Sequence, residues 1–196
     1  MKLLLIMKIL FVYAIPEERI EINIPNAEVI YVETGMGKVN AAMKTMRAIC
    51  EYHPDMVINY GSAGTLNHNI GDIIVCNRFI DRDLQKVTLN GVVSEIVFGT
   101  DAARDVLTEQ RLTERAKVLW GTCNTGDSFI TSGADIEGDV IDMESYAMAD
   151  VCREMGIPFV AVKYVTDVVG QNSVESWQEK LADARKGLTD FFCHFD

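Results

Sequence analysis

The sequence predicts an α/β domain with a mixed sheet. Apolar runs rich in β-forming residues alternate with stretches whose small and apolar residues recur at helical spacing. Asn90-Gly91, between two short extended stretches, signals a hairpin that a purely parallel sheet would lack. The chain has 196 residues, 48% of them hydrophobic, enough for one domain (1–196) with a real core.

Lys8–Ala14 reads as a first buried strand and Val29–Glu33 as a second. Gly37–Tyr52 carries Ala41, Ala42, Thr45, Ala48 and Ile49 on one helical face, and Pro54 stops that helix. Met56–Asn59 and Ile73–Phe79 are strands. Lys86–Leu89 and Val92–Val97 are the expected hairpin arms, Asp101–Gln110 a short helix, and Lys117–Thr122 another strand. Val140–Met143 is a short strand leading into a helix over Glu144–Met155, which Gly156 and Pro158 end. Phe159–Val165 is the most strand-like run, and Ser173–Phe192 closes the chain as an amphipathic helix. Lys8 interrupts the apolar N-terminal run, which is too short for a membrane span and lacks a small-x-small cleavage site. Met7 is an alternative start, which would make residues 1–6 an extension.

Lys and Arg number 18 against 29 Asp and Glu, for a net charge of −11. That balance argues against nucleic acid and membrane surfaces, both polyanions. The five cysteines are odd in number, are spread widely and form no CxxC, which reads as reduced thiols in a cytoplasmic protein. His53, His68 and His194 form no ligand cluster, so no metal, no cofactor and no Ser-His-Asp or Cys-His triad is expected.

Several short motifs sit at strand ends, where α/β proteins keep their ligands. Glu33-Thr-Gly35-Met36-Gly37-Lys38 joins a strand to a helix. It lacks the spacing of a phosphate loop and the third small residue of a dinucleotide fingerprint, so spacing alone favours a simple strand–turn–helix connection. Asn59-Tyr-Gly61-Ser62-Ala63-Gly64 is either a tight turn or a place where a ligand approaches the backbone. Glu144, at a helix start, complements the macrodipole without any further role; as a functional group it can hold two vicinal hydroxyls. Asp167, after the run Phe159–Val165, is either a helix N-cap or a carboxylate at a strand end. Glu17-Glu18 follows the first strand and reads as a solvated loop or as a second such carboxylate.

Taken in order, these motifs resemble the purine nucleoside phosphorylase/nucleosidase family. The order is Ala14-x-x-Glu-Glu18, Glu33-Thr-Gly-Met-Gly-Lys38, Asn59-x-Gly-Ser-Ala-Gly64, Gly71-Asp72-Ile-Ile-Val, Thr125-Gly-Asp-Ser-Phe129-Ile130, Asp142-Met-Glu144-Ser and Thr166-Asp167. Within the family the resemblance is closest to the methylthioadenosine/S-adenosylhomocysteine nucleosidases, and it runs from about Lys8 to the C-terminus. It implies a single-domain three-layer sandwich with a mixed, partly barrel-like central sheet, typically a homodimer. It implies a small-molecule purine nucleoside as the partner, cleavage of its N-glycosidic bond, and a place in nucleoside catabolism and methionine salvage.

The resemblance also implies roles. Asp167 matches the acid that protonates the purine at N7, and Glu18 the carboxylate that activates water. Met143 and Glu144 match the ribose contacts, Phe129 the purine-stacking aromatic, and Ile130 the residue whose backbone reads the adenine edge. Ser62 and Ala63 lie beside the purine and the nucleophile. Ile15 and Met36 fall where a 5′-thioalkyl group is held. Lys163 stands where these nucleosidases usually have Arg, which keeps the charge and loses the planar fork. The chemistry suits these residue types. Glycosidic cleavage passes through an oxocarbenium-like state, and a proton on N7 improves the leaving group. A free Asp has a pKa near ~3.9, so Asp167 must be desolvated, hydrogen-bonded as the neutral acid, or protonated with substrate bound, while Glu18 must be ionised.

Phosphorylases of the family usually have an Arg before the Gly-Ser segment and a Gly-Asp-Pro loop after the first strand. This chain has Asn59-Tyr60 and Pro16-Glu17-Glu18 there, and a carboxylate repels phosphate. Arg19 and Arg47 are the cations available instead. The expectation is therefore hydrolysis of 5′-modified adenosines. A purine nucleoside phosphorylase, a futalosine-type hydrolase and a non-catalytic nucleoside-binding module are the alternatives. The segment between Phe79 and Lys117 is short for the family, and residues 83–110 match it poorly.

Overall fold

The computed structural model describes residues 6–107, 114–130, 136–170 and 173–192. Eight strands form one mixed sheet: β1 (Met7–Tyr13), β2 (Ala27–Glu33), β3 (Met56–Thr65), β4 (Ile73–Asp81), β5 (Glu95–Val97), β6 (Val118–Thr125), β7 (Val140–Asp142) and β8 (Phe159–Val168). The helices are α1 (Lys38–Tyr52), α2 (Asp101–Leu107), α3 (Ser145–Met155) and α4 (Ser173–Phe192). Residues 1–5 and 108–110, Cys193 and His194 lie outside the described residues.

Strand β3 pairs with β8, β8 with β4, β4 with β6, β6 with β7, and β7 with β3 again. These pairings close a five-stranded barrel, from which β1 and β2 extend on one side and β5 on the other. Three of these pairs are parallel and two antiparallel, so the sheet is mixed as expected.

Period-2 alternation in the strands sends side chains to two cores. Leu10, Val12 and Val57 pack with Ala41, Ala48 and Ile49 of α1 and with Met148, Ala149 and Cys152 of α3. Ile9, Phe11 and Ile58 face the other way, toward Ala103, Val106 and Leu107 of α2 and Leu188, Phe191 and Phe192 of α4. The result is three layers: α1 and α3, the sheet, then α2 and α4. The small residues on α1 allow close approach to α3, and burying each large side chain such as Phe11 contributes about 1.5–3 kcal/mol.

Two expectations are corrected. The hairpin around Asn90-Gly91 does not form. Residues 84–91 are exposed, with Val87 and Leu89 covered by no core, and Leu84–Lys86 forms a short 3-10 turn instead. Glu95–Val97 finds its partner on β4, opposite Arg78–Ile80, with Ile96 buried and Arg78 paired to Glu95 at 2.8 Å. The second correction concerns Gly61-Ser62-Ala63-Gly64, which is not a turn. It continues β3 to Thr65 alongside Lys163–Val168, because β8 runs on through Asp167 and offers a ladder. Asp167 is therefore inside β8 and not an N-cap of α4, which begins at Ser173.

Candidate active site

The C-terminal ends of β1, β3, β7 and β8 converge on one cleft. It is lined by Ile15, Glu18, Met36, Ser62, Ala63, Phe129, Ile130, Met143, Glu144 and Asp167. These are the residues singled out by sequence, Lys163 excepted. Arg82, Asp142 and Trp177 also line it.

Glu18 ends a 3-10 turn, Pro16–Glu18, that immediately follows β1. Pro16 supplies the fixed φ at the turn's start and has no N–H to satisfy. The turn directs the Glu18 carboxylate back over β3, where it is buried. Oε1 accepts the Ser62 N–H and the Ser62 hydroxyl, each at 2.7 Å, and Oε2 accepts the Ala14 N–H at 3.1 Å. Gly61 makes room for it, since a Cβ there would sit 2.8 Å from Oε1.

Asp167 is placed by a register shift. Ala63 pairs with Val165, but Gly64 pairs with Asp167, so Thr166 is the extra residue of a bulge. The bulge turns the Asp167 carboxylate over Gly64, where a Cβ would lie 3.0 Å from Oδ2. The Thr166 hydroxyl lies 3.0 Å from Oδ1. The two glycines of β3 thus each open space for one buried carboxylate.

Glu144 is the N-cap residue of α3, and its Oε1 accepts the Gly37 N–H at 2.8 Å. Gly37 adopts φ 89°, a left-handed conformation that favours glycine. The Glu33–Lys38 connection is therefore both a turn and a donor to the site. Burial, with the neighbouring Asp142 charge next, pushes the Glu144 carboxyl up to about 7, against the opposing pull of Lys163 and the Gly37 N–H.

Lys163 does not line the cleft. Its ammonium lies 2.9 Å from Asp142 Oδ2, and both side chains are buried. Burial acts to raise the Asp142 carboxyl, but Lys163, Ser145 and Thr125 together hold it below the ordinary range. Burial likewise works against the Lys163 charge, and the facing Asp142 outweighs it. This pair sits behind Glu144, which Asp142 precedes by two residues at the end of β7.

Arg82 is the sole Lys or Arg among the described lining residues. Its guanidinium donates to the carbonyls of Asn124, Asp142, Gly126 and Ser128 at 2.5–3.2 Å. It thereby fixes the loop that presents Phe129 and Ile130. Its sequence context, Asp81-Arg82-Asp83, reads as a solvated charge run and gives no sign of this. Trp177, near the start of α4, meets Phe129 edge-on with ring centroids 6.2 Å apart. Arg19 turns instead to Glu21 at 3.0 Å and to the Tyr31 ring, and Arg47 is exposed beside Glu51 on α1. Among the described residues no group of three or more His, Cys, Asp or Glu is arranged to hold a metal ion.

Comparison with known proteins agrees with this architecture. Residues 17–195 match the family model described as the Phosphorylase superfamily. A Bacillus cytotoxicus 5′-methylthioadenosine/S-adenosylhomocysteine nucleosidase is 33% identical over 181 residues, covering 84% of this chain and 78% of that protein. The Colwellia psychrerythraea nucleosidase of the same name, solved with adenine, superposes with a TM-score of 0.78 at 24% identity over 94% of this chain and 92% of that one. Helicobacter pylori futalosine hydrolase shares the fold as well, with a TM-score of 0.81 at 18% identity over 95% of each chain. The chain belongs to the Phosphorylase superfamily and, within it, to the methylthioadenosine/S-adenosylhomocysteine nucleosidases.

Proposed function

We propose that this protein hydrolyses the N-glycosidic bond of 5′-modified adenosines, methylthioadenosine and S-adenosylhomocysteine, and releases adenine. The observation that carries the reading is the pair of buried carboxylates, Glu18 and Asp167, held over Gly61 and Gly64 of one strand and opening into one cleft with Glu144.

The roles follow from chemistry. As the glycosidic bond lengthens, positive charge grows on the ribose and electrons move into the purine. Asp167 delivers a proton to N7 and keeps the departing base neutral. Glu18 accepts a proton from the water that attacks the anomeric carbon. Three hydrogen bonds, from the Ala14 N–H, the Ser62 N–H and the Ser62 hydroxyl, hold its carboxylate in place for that transfer. Glu144 accepts the ribose hydroxyls. Phe129 stacks on the base, the Ile130 backbone reads its edge, and Met143 packs against the sugar. Ile15 and Met36 flank the 5′ substituent, and Ser62 and Ala63 floor the site. Lys163 acts from behind, through Asp142.

Water is favoured over phosphate as nucleophile. The lining cation, Arg82, already donates to four backbone carbonyls, and a carboxylate stands where an anion would have to sit. The test is product chromatography across methylthioadenosine, S-adenosylhomocysteine, adenosine, inosine and a futalosine-type nucleoside. Adenine from the two thioether substrates is expected. Preference for a hypoxanthine base would transfer the assignment to the futalosine-type reaction, and binding without turnover would reduce the protein to a nucleoside-binding module.

We infer further that the protein is a cytoplasmic homodimer acting in methionine salvage. Cys50, Cys76, Cys123 and Cys152 are unbridged, in keeping with a reducing compartment. Val39 (76% exposed) and Met43 (59%) lie one helical turn apart on α1, next in sequence to Met36 at the cleft. A second copy covering this face would also border the 5′ end of the site.

A further inference from the structure

Trp177 carries a donor that the wall of an apolar cleft does not require. Its indole Nε1 lies 2.9 Å from Ser62 Oγ, and Ser62 Oγ lies 2.7 Å from Glu18 Oε1. An indole N–H can only donate, so Ser62 Oγ is the acceptor in the first contact. The single hydroxyl proton of Ser62 is then left to point at Glu18. A phenylalanine at 177 would keep an aromatic ring in the wall, smaller and without the N–H, and leave the hydroxyl free to turn.

We propose that Trp177 is a positioning residue for the hydrolytic base: its indole N–H orients the Ser62 hydroxyl, which in turn fixes the Glu18 carboxylate. The arrangement commits Oε1 to the two Ser62 donors and leaves acceptor capacity on Oε2, which takes only the Ala14 N–H among the donors above, for the attacking water. A second contact ties the same helix turn to the acid's strand. The neighbouring Ser176 hydroxyl donates to the Thr166 carbonyl at 3.0 Å, one residue before Asp167. The start of α4 is thus bonded to β3, whose Ser62 holds the base, and to β8, which carries the acid, and its seating is coupled to the geometry of the base.

This inference rests on the hydrolase reading above, and the experiment separates the two. Single-turnover rates and KM for methylthioadenosine are measured for the wild type, Trp177→Phe, Ser62→Ala and the double variant. Wild-type turnover in phosphate-free buffer supports the reading on its own. Trp177→Phe is then expected to lower the single-turnover rate about two- to tenfold, the worth of one hydrogen bond, with KM changed by less than about twofold. In the Ser62→Ala background the same substitution is expected to have little further effect, because the relay is already broken. An unchanged rate in Trp177→Phe, a loss confined to KM, or an equal loss in the Ser62→Ala background would overturn the proposal and leave Trp177 as a wall. If Trp177→Phe misfolds, 3-benzothienylalanine at 177 replaces the N–H by sulfur in the same bicyclic shape, and the same outcomes decide.

Discussion

Asp167→Asn keeps the shape of the side chain over Gly64 and removes the transferable proton. Turnover is expected to fall by about 10²–10⁴-fold with the thermal midpoint little changed, as steady-state kinetics and calorimetry can check. Glu144 gives a pH signature. Its carboxyl is raised from an ordinary 4.5 to about 7, so the free protein holds it neutral in weak acid, whereas ribose hydroxyls need the ionised acceptor. kcat/KM is therefore expected to rise with pH through about 7. The stability effect has the opposite sign. A raised carboxyl pKa stabilises the fold below pH 4.5, and that contribution is lost as pH rises through about 7. Glu144→Gln should flatten this fall in thermal midpoint and weaken substrate binding. At this scale the sequence was informative where residues sit in local motifs at strand ends: Glu18, Glu144 and Asp167 could be read there. Arg82 and Trp177 could not, because a charge run and an aromatic in an amphipathic helix look like surface and core until tertiary pairing brings them to the cleft.

The decisive element is β3. Its four residues Gly61–Gly64 look like a turn because small residues and glycines mark turns locally. In the fold they are strand, kept extended by the ladder to β8, and the glycines serve the carboxylates lying above them. Gly61→Ala places a Cβ 2.8 Å from Glu18 Oε1 and should lower turnover on the order of 10- to 100-fold by displacing the base. Gly99→Ala, with nothing within 4 Å, should leave the rate unchanged. The buried Lys163–Asp142 pair links β8 to β7. Lys163→Met strands a buried carboxylate and is expected to cost about 3–5 kcal/mol in denaturant unfolding. The hairpin expectation failed for a related reason. Asn90-Gly91 is a sound local turn signal, but Val87 and Leu89 of the arm before it find no core to cover them and stay exposed, and the free edge of β4 offers Glu95–Val97 a better partner.

For the whole molecule, strand–helix alternation was enough to foresee the α/β class, whereas the three layers came from the family resemblance and the mixed sheet was expected from a hairpin that does not form. The closure of β3, β8, β4, β6 and β7 into a barrel came from the family resemblance, since all of its pairings but β6–β7 join strands that are not consecutive in the chain. The dimer proposed through α1 has a direct check. Val39→Asp, on a side chain with few contacts in one copy, should shift sedimentation from dimer to monomer while the far-UV spectrum is preserved. The central claim is that water, activated by Glu18, displaces adenine. The most direct measurement is the rate of adenine release from methylthioadenosine as phosphate is raised from zero. A full rate without phosphate, no acceleration on adding it, and an unphosphorylated sugar product are expected. A rate that vanishes without phosphate and returns with a sugar 1-phosphate as product would contradict it.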